Sequence, residues 1–588
     1  MKKKHPVLRR VLLTVLLLGL AACAWEFATS QNPYLLPVKR AIKYDVLHLS
    51  PLSEERQAQG LAEGYTAEHH ENGQDRKTVY DDGAVTRLVD FALGCRVDLP
   101  AGTAFDFSLD PLFVRAEGEG FDAVVSREKA DYQSVRDVVT FELSTLAPHL
   151  FHDDTVRRYV EYYEYRFLLS DEWQRNNGVT VTSWTDENGI CFIEAQADGF
   201  DDGQYDGYLF ATFYTKSREY LRVAYRYQKE DEATRDALIA LAGGTLVFDP
   251  VGRGQYDTDY APDLSQTVWS EETRALYDSF YDFSTPPEWG IFLQDFYVTG
   301  FDGELTELEQ ALDYTFPVVL YYRHLPTHEF PAEVMRENYE AGRLVELTLQ
   351  LTDNNNEDMY APSPALEIYR GHMDEELRAW ARAAAEFGHP FLFRLDNEMN
   401  SDWTSYGGVV NLCDPQMFVS VWQRVFRIFR EEGADNCIWI FNPNDRQAPP
   451  SRWNDSLVYY PGNEYVHLIG VTGYNNGTYY TKWAEEWRGF KEIYDIIWDE
   501  YAPRFESFPW IITEFASSGV GGDKVAWMDE MFDHMGDYPN IRIAVWFSHA
   551  DFDDANGGVP ARTYWLDETP ETLAAFRRGL DKQLGKER

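Results

Sequence analysis

The sequence is poor in cysteine and in positive charge. It holds only five cysteines in 588 residues, and none of them stands in a C-x-x-C spacing, which argues against a zinc site. Lys and Arg together number 53 against 98 Asp and Glu, for a net charge of −45. A surface of this sign repels phosphate backbones and anionic lipids. Nucleic acid is therefore excluded as a partner, and neither a metal nor an organic cofactor is implied.

Long apolar runs are also scarce, and the N-terminal one, residues 11–20, is short for a transmembrane helix. It follows a basic segment and ends at Leu20-Ala21-Ala22-Cys23. This pattern is typical of a bacterial lipoprotein signal peptide over residues 1–23, with Cys23 as the lipidated residue. An uncleaved anchor or a plain secretory signal is the alternative. Either way the rest of the chain is expected outside the cytoplasm, anchored by lipid to the cell surface or secreted.

Export makes disulfides permissible for the remaining cysteines. Cys95–Cys191 and Cys413–Cys437 would each join residues of one predicted domain. Free buried thiols are the equal alternative, and the sequence does not decide between them.

The length requires two or more domains. Residues 24–60 are polar and predict a tether, and residues 61–250 alternate as an α+β domain whose role the sequence does not indicate. Residues 251–279 predict a linker. Within the α+β domain, two strands at 208–214 and 218–227 form a hairpin, and a helix over 232–242 follows.

From residue 280 to residue 588 the pattern changes to apolar strands that alternate with helices. The helix signals are firm over 374–387, from Asp414-Pro415 to 433, and over 484–501. Such alternation indicates a parallel sheet, and eight repeats predict a (β/α)8 barrel, with an open doubly wound sheet as the alternative. The eight predicted strands are 289–293, 317–322, 344–351, 390–395, 437–441, 466–471, 509–513 and 541–547.

Two of these strands end on acidic residues. Arg394, Asp396 and Glu398 lie at the end of the fourth strand, and Glu514 lies at the end of the seventh. Active sites of such barrels lie at the C-terminal ends of the strands, although a salt-bridged strand end is the structural alternative. Two carboxyl groups at one mouth suit glycoside hydrolysis: one protonates the leaving oxygen, and in a retaining enzyme the other, about 5 Å away, attacks the anomeric carbon.

The motifs around these acids resemble glycoside hydrolase family 26, the β-mannanase family of clan A retaining hydrolases, over about residues 285–580. The stretch 394–403, RLDNEMNSDW, is similar to the fourth-strand motif of that family. Two departures are visible, because Asn397 stands where the family has His and Ser401 where it has Gly. The other matching stretches are GHMD at 371–374, WIFNPN at 439–444, GVTGYN at 470–475 and TEFAS at 513–517.

The resemblance implies roles for individual residues. Glu398 would be the acid/base and Glu514 the nucleophile, with Tyr474 donating a hydrogen bond to Glu514. Trp403 and Trp546 would be sugar platforms, with a place in the core as the alternative for Trp546. The remaining substrate-binding residues would be Arg394, whose alternative role is to brace the carboxylates, and Asn397, whose amide could hold a 2-hydroxyl.

The predicted function is a lipid-tethered, retaining endo-glycoside hydrolase that acts as a monomer on a neutral β-linked polysaccharide. β-Mannan is the first expectation, and β-xylan or mixed-linkage β-glucan follow. The alternative is a surface carbohydrate-binding lipoprotein whose barrel has little or no activity, which the Asn397 replacement motivates. An enzyme for the cell's own exopolysaccharide is a third possibility.

Overall fold

The structure is a computed structural model that describes residues 77–130, 155–200, 204–215, 218–248, 250, 260–294, 303–480 and 485–586. The predicted signal peptide, Cys23 and the predicted tether lie outside the described residues, so the prediction of lipidation stays a prediction.

The N-terminal domain is built from two antiparallel sheets. One has four strands in the order β1-β2-β3-β11, and the other has seven in the order β4-β5-β6-β10-β9-β8-β7. Its strands are β1 (Lys77–Asp81), β2 (Val85–Asp90), β3 (Cys95–Pro100), β4 (Ala104–Asp106), β5 (Phe113–Gly118), β6 (Phe121–Lys129), β7 (Val179–Thr185), β8 (Cys191–Ala197), β9 (Gly207–Tyr214), β10 (Glu219–Tyr227) and β11 (Leu246–Val247). Its helices are α1 (Thr155–Tyr163), α2 (Asp171–Asn177) and α3 (Glu232–Ala242).

The larger sheet is buried on both of its faces, as β10 shows. Leu221, Val223 and Tyr225 alternate on the face that packs into the domain's own core. Tyr220 belongs to the core that the domain shares with the barrel, and Arg222 donates to the carbonyl of Cys413 in the barrel. Side chains alternate across a strand, so this sheet joins the domain's core on one face to the barrel on the other.

The second domain is a closed barrel of eight parallel strands. All eight predicted strands are present, and closure excludes the open-sheet alternative. The predicted fold class, a (β/α)8 barrel preceded by a smaller domain, is confirmed. The barrel strands are β12 (Glu288–Leu293), β13 (Val318–His324), β14 (Leu344–Gln350), β15 (Phe391–Leu395), β16 (Cys437–Phe441), β17 (Leu468–Thr472), β18 (Trp510–Phe515) and β19 (Ile541–Ser548).

Helices surround the barrel, and their ends follow local capping signals. The one over 374–387 ends as predicted, because Gly388 adopts the left-handed conformation. The one predicted from residue 484 begins at Phe490, where Glu492 accepts a hydrogen bond from the Gly489 N–H. The helices are α4 (Glu271–Ser279), α5 (Gly303–Leu312), α6 (Ala332–Glu340), α7 (Pro364–Tyr369), α8 (Asp374–Phe387), α9 (Pro415–Glu431), α10 (Phe490–Phe505), α11 (Lys524–His534) and α12 (Pro570–Gln583), and a hairpin of β20 (Ala550–Asp553) and β21 (Val559–Thr563) follows β19. Across the described residues, no helix combines the length and the apolar character needed to cross a bilayer.

The described part of the predicted linker over 251–279, residues 260–279, contains a helix. Helix α4 closes the N-terminal end of the barrel, where Tyr277 and Phe280 pack against interior residues such as Leu392 and Ile438. Trp269 donates to the carbonyl of Cys437 at the start of β16. These aromatic residues give the segment a packing role that its polar composition concealed.

The cysteines are also settled by the structure. Cys95, Cys191, Cys413 and Cys437 are all free thiols, and three of them are buried. The disulfide alternative is therefore wrong for these four residues, and the alternative of free thiols is confirmed.

Candidate active site

The chain between β15 and α9 begins with an unusual backbone. Asp396 and Glu398 adopt left-handed conformations, with φ of 53° and 56°, which non-glycine residues rarely adopt away from functional sites. Asp396 is fully buried and accepts a hydrogen bond from the Leu351 N–H at 2.8 Å. Glu398 donates its backbone N–H to the carbonyl of Asn442 at 2.8 Å. Asp396 therefore ties the strand end to the neighbouring loop and leaves Glu398 to face the barrel mouth.

Glu514, at the end of β18, accepts hydrogen bonds from four side chains. Tyr322 and Tyr474 donate their hydroxyls to Oε2 at 2.6 and 3.1 Å. Arg394 and Asn397 donate to Oε1 at 3.0 and 3.3 Å. The side chain is only 4% exposed, so these donors fix its orientation. Tyr474 makes the contact that the family resemblance implied, and Tyr322 is an additional donor that the sequence had not singled out.

Glu398 is half-buried at the same mouth and is held by two donors. Trp403 donates its indole N–H to Oε2 at 2.8 Å, and Asn444 donates its amide to Oε1 at 2.6 Å. Burial, with the charge of Glu514 as the second cause, raises the pKa of Glu398 to about 7. A carboxyl group with this pKa carries a proton for about half of the time at neutral pH. It can therefore act as a general acid.

Arg394 does not contact the cleft, which corrects its assignment as a substrate-binding residue. It is fully buried, and its guanidinium donates to Tyr322, Thr348 and Glu514 at 2.9, 2.7 and 3.0 Å. The N–H groups of the guanidinium are thus directed to partners inside the protein and not to the cleft. Arg394 therefore braces Glu514 from below.

A third acid, Glu346, lies beneath Arg394 and was missed from the sequence. One of its oxygens lies 3.3 Å from Arg394 Nε, and the side chain is fully buried. Burial raises the pKa of Glu346 to about 8. The signal was present in the sequence, because Glu346 is the one charged residue in strand β14.

Asn397 lies between the two acids in the wall of the cleft. Gln350 and Tyr406 donate to its Oδ1 at 2.8 and 3.0 Å, which turns its amide N–H toward Glu514. Its fixed orientation is compatible with the predicted contact to a substrate hydroxyl, which stays a prediction.

The cleft has a volume of about 480 Å³. Trp403 lies at its edge and is 46% exposed, as expected of a sugar platform. Most of the other lining side chains are polar, and three arginines among them are paired with acids. The lining residues are Asn397, Glu398, Trp403, Asn444, Asp445, Arg446, Gln447, Ala448, Tyr474, Asn476, Glu485, Glu486, Arg488, Glu514, Phe547, Asp551, Arg562 and Tyr564.

Trp546 is not part of this cleft, so its prediction as a sugar platform is wrong. It is fully buried, and its indole N–H donates to the carbonyl of Tyr564 at 2.9 Å. Its ring packs against Trp527 and Phe576. Successive residues of a strand face opposite sides, and the next residue, Phe547, lines the cleft instead.

No cluster of three or more His, Cys, Asp or Glu side chains arranged for a metal ion occurs within the described ranges.

A segment of the chain matches a family of known proteins. Residues 361–496 match the model of glycosyl hydrolase family 26, a segment that holds Glu398, Trp403, Asn444 and Tyr474 and ends before Glu514. Endoglucanase H of Acetivibrio thermocellus is 28% identical over 221 residues, which are 37% of this chain and 23% of that protein. The chain thus spans about a quarter of the length of this relative.

Two solved structures are similar to this chain over about half of its length. A family 26 β-mannanase from Bacteroides ovatus is 15% identical with a TM-score of 0.40, covering 53% of this chain and 94% of that one. The catalytic domain of an endo-β-1,4-mannanase from Bacillus sp. JAMB-750 is 16% identical with a TM-score of 0.38, covering 54% and 91%. The resemblance to glycoside hydrolase family 26 that the sequence motifs predict is confirmed, and the matched segment is the part of the barrel that carries Glu398.

Proposed function

We propose that the chain is a retaining glycoside hydrolase in which Glu398 is the acid/base and Glu514 the nucleophile. One observation carries the proposal: two carboxyl groups line the same cleft in different environments. Burial and the neighbouring charge raise the pKa of Glu398 to about 7, whereas Glu514 is held by four donors. Such a pair divides the acid and nucleophile roles between two residues of the same type. The family match supports the same reaction class.

In the first step, a carboxylate oxygen of Glu514 forms a bond to the anomeric carbon as the glycosidic C–O bond breaks. Glu398 gives its proton to the departing oxygen, which leaves as a hydroxyl group. Esterification removes the negative charge of Glu514, and that charge is one of the two causes that raise the pKa of Glu398. The pKa of Glu398 then falls, which prepares it for the opposite role.

In the second step, Glu398 is a carboxylate and takes a proton from water. The water oxygen attacks the anomeric carbon, the ester bond to Glu514 breaks, and both carboxyl groups return to their starting states. Two displacements at one carbon retain its configuration. Tyr322, Tyr474 and Arg394 keep the Glu514 side chain in place throughout.

The proposed substrate is a neutral β-linked polysaccharide, with β-mannan first and β-xylan or mixed-linkage β-glucan behind it. The arginines of the cleft walls are paired with acids, and the polar side chains of the lining can form hydrogen bonds with sugar hydroxyls. The exposed ring of Trp403 offers a face for stacking. Because the curated relative is named an endoglucanase, β-glucan belongs in the substrate panel. Endo cleavage, a monomeric state and attachment to the cell surface through Cys23 are parts of the same proposal.

The test is a panel of β-glycans incubated with the purified chain and four variants. We expect release of reducing ends, loss of activity by several orders of magnitude in Glu514→Ala and Glu514→Gln, and near loss in Glu398→Ala. Glu375→Gln, which changes an exposed acid on α8, should keep full activity. Near-full activity in any Glu398 or Glu514 variant contradicts the assignment.

Two further readouts complete the test. Added azide should restore turnover of an activated glycoside by Glu398→Ala, because a small nucleophile that needs no general base can open the ester at Glu514. Binding of glycans without any release of reducing ends, at high protein concentration, would instead support the carbohydrate-binding alternative.

A further inference from the structure

Two loops of the barrel supply the donors that hold Glu398. The loop after β15, residues 396–414, carries Trp403, and the loop after β16, residues 442–460, carries Asn444. We name them the first and the second catalytic loop. Asn400 joins them, because its Oδ1 accepts from the Asn444 N–H at 2.8 Å and its carbonyl accepts from Ala448 and Asn454. Displacement of either loop therefore moves the surroundings of Glu398.

The N-terminal domain contacts the first catalytic loop next to Trp403. Arg166, just after α1, donates to Asp402 Oδ2 at 2.8 Å and to its backbone carbonyl at 3.4 Å. The two side chains are only 25% and 19% exposed, so water screens the ion pair only in part. Asp402 immediately precedes Trp403, and this pair is therefore one residue away from a donor to Glu398.

The same domain holds the other end of the first loop. Arg222 is almost fully buried and donates to the carbonyl of Cys413 at 2.9 Å. Arg226 forms an ion pair with Asp414 at 3.1 Å. The loop is thus fixed near its middle and at its end by three arginines of one domain.

The second catalytic loop is held by two buried acids of the N-terminal domain. Glu164 accepts from the Ser451 hydroxyl at 2.6 Å. Glu128 accepts from the backbone N–H groups of Arg452 and Trp453 at 2.6 and 3.2 Å. Separation of the loop from the domain would break these hydrogen bonds to buried carboxyl groups, so the contacts oppose it.

We propose that the N-terminal domain is a positioning domain that holds both catalytic loops, and that Arg166 orients the acid/base through Asp402 and Trp403. The proposal rests on the proposed function and gives a role to the N-terminal domain, of whose described residues none lines the cleft. Arg166 does not touch the cleft, so it acts on Glu398 only through its neighbours. Its loss should weaken proton donation more than the attack by Glu514, whose donors belong to the barrel alone.

The test compares Arg166→Ala with wild type on two substrates in the full chain. An oligosaccharide of the sugar that the panel selects has a poor leaving group and needs a proton from Glu398. A dinitrophenyl β-glycoside of the same sugar leaves as a stable anion and needs none. We expect kcat/KM of Arg166→Ala to fall about 10- to 100-fold on the oligosaccharide and less than about threefold on the dinitrophenyl glycoside.

A matched control and two further variants sharpen the result. Arg157 on α1 forms an ion pair of the same length, 2.8 Å, with Glu161 of the same helix, and this pair contacts neither catalytic loop. Arg157→Ala should therefore match wild type on both substrates. Asp402→Asn removes the same ion pair from the barrel side and should reproduce the selective loss. Arg166→Lys retains a donor and should restore part of the oligosaccharide activity.

Two results would overturn the proposal. If kcat/KM on the oligosaccharide is that of wild type in both Arg166→Ala and Asp402→Asn, the ion pair does not orient Glu398. Equal losses on both substrates would show a general effect on the fold, which thermal unfolding would detect independently. A wild-type chain that cleaves neither substrate refutes the proposed function instead, so the two failures are distinguishable.

Discussion

Replacement of Trp403 by phenylalanine separates the two contributions of this side chain. Phenylalanine keeps an aromatic face at the cleft edge, where Trp403 is 46% exposed, and loses the indole N–H that donates to Glu398 at 2.8 Å. That donor stabilises the ionised form of Glu398 and lowers its pKa. Without it the carboxylate is less stable, so the pKa of Glu398 rises above about 7 and the proton is kept to a higher pH.

The magnitude follows from the hydrogen bond that is lost. A hydrogen bond to a charged group contributes about 1.5–3 kcal/mol. The lower value of this range applies here, because water can reach the half-exposed site and donate to Glu398 in place of the indole. One pKa unit corresponds to about 1.4 kcal/mol. The pKa of Glu398 should therefore rise by about one unit, while Asn444 keeps its own contact with the other oxygen.

The assay is the pH dependence of kcat/KM on a β-linked oligosaccharide, whose alkaline limb reports the protonation of the acid in the free enzyme. In Trp403→Phe the alkaline limb should move to higher pH by about one unit, and the acidic limb should stay in place. Trp184→Phe, which alters a tryptophan stacked on Phe192 in the N-terminal domain, should leave both limbs unchanged. An alkaline limb that is unmoved, or that moves to lower pH, would refute the role of the indole N–H.

Three further predictions concern the buried residues around the cleft. Tyr322→Phe removes the shortest of the hydrogen bonds that Glu514 accepts. The Glu514 side chain is then less firmly oriented, and kcat/KM should fall about 10- to 100-fold. Unchanged kinetics would contradict this. Glu346 binds a proton in the folded chain up to a pH of about 8, well above its ordinary pKa of 4.5, so folding loses stability as the pH rises from 5 to 8. Glu346→Gln should lose less stability than wild type over that interval in thermal unfolding, and an equal loss would show that Glu346 is ionised beside Arg394. Trp546→Phe removes a buried hydrogen bond and should lower the free energy of unfolding by about 2 kcal/mol with KM unchanged, whereas a raised KM at full stability would restore the platform role.

Much of the barrel could be predicted because its signals are local. Each of the eight strands is a largely apolar run of about the right length, and two of the three firm helices have a capping residue beside them, Gly388 and Asp414. Glu398 and Glu514 stood out because each lies at or just beyond the end of such a run. Acids at strand ends are expected where they are paired or used, so position marked the two strand ends, and the family resemblance assigned a role to each acid.

The directions of side chains could not be predicted in the same way. Strands of a parallel barrel are buried on both faces, so the apolar pattern does not tell which residues point inward. The family resemblance implied a cleft position for Trp546, and the pattern of its strand carries no signal that its neighbour Phe547 lines the cleft instead. The same holds for Arg394, which lies below Glu514.

Contacts between distant segments were also beyond the sequence. Tyr322 and Asn444 reach the two acids from other strand ends, and only the closed barrel brings them together. The role proposed for the N-terminal domain depends on Arg166 and Asp402, which are separated by 236 positions in the chain. A single sequence carries no signal for such a pair.

The most direct test of the central claim is to trap the glycosyl-enzyme. A 2-deoxy-2-fluoro β-glycosyl fluoride of the preferred sugar should inactivate the chain, because the 2-fluorine slows both displacements whereas the good fluoride leaving group speeds only the first. Mass spectrometry of the digested protein should then find one sugar residue on the peptide that contains Glu514. A label on Glu398 or on another residue, or turnover to an α-configured product with no label, would contradict the account.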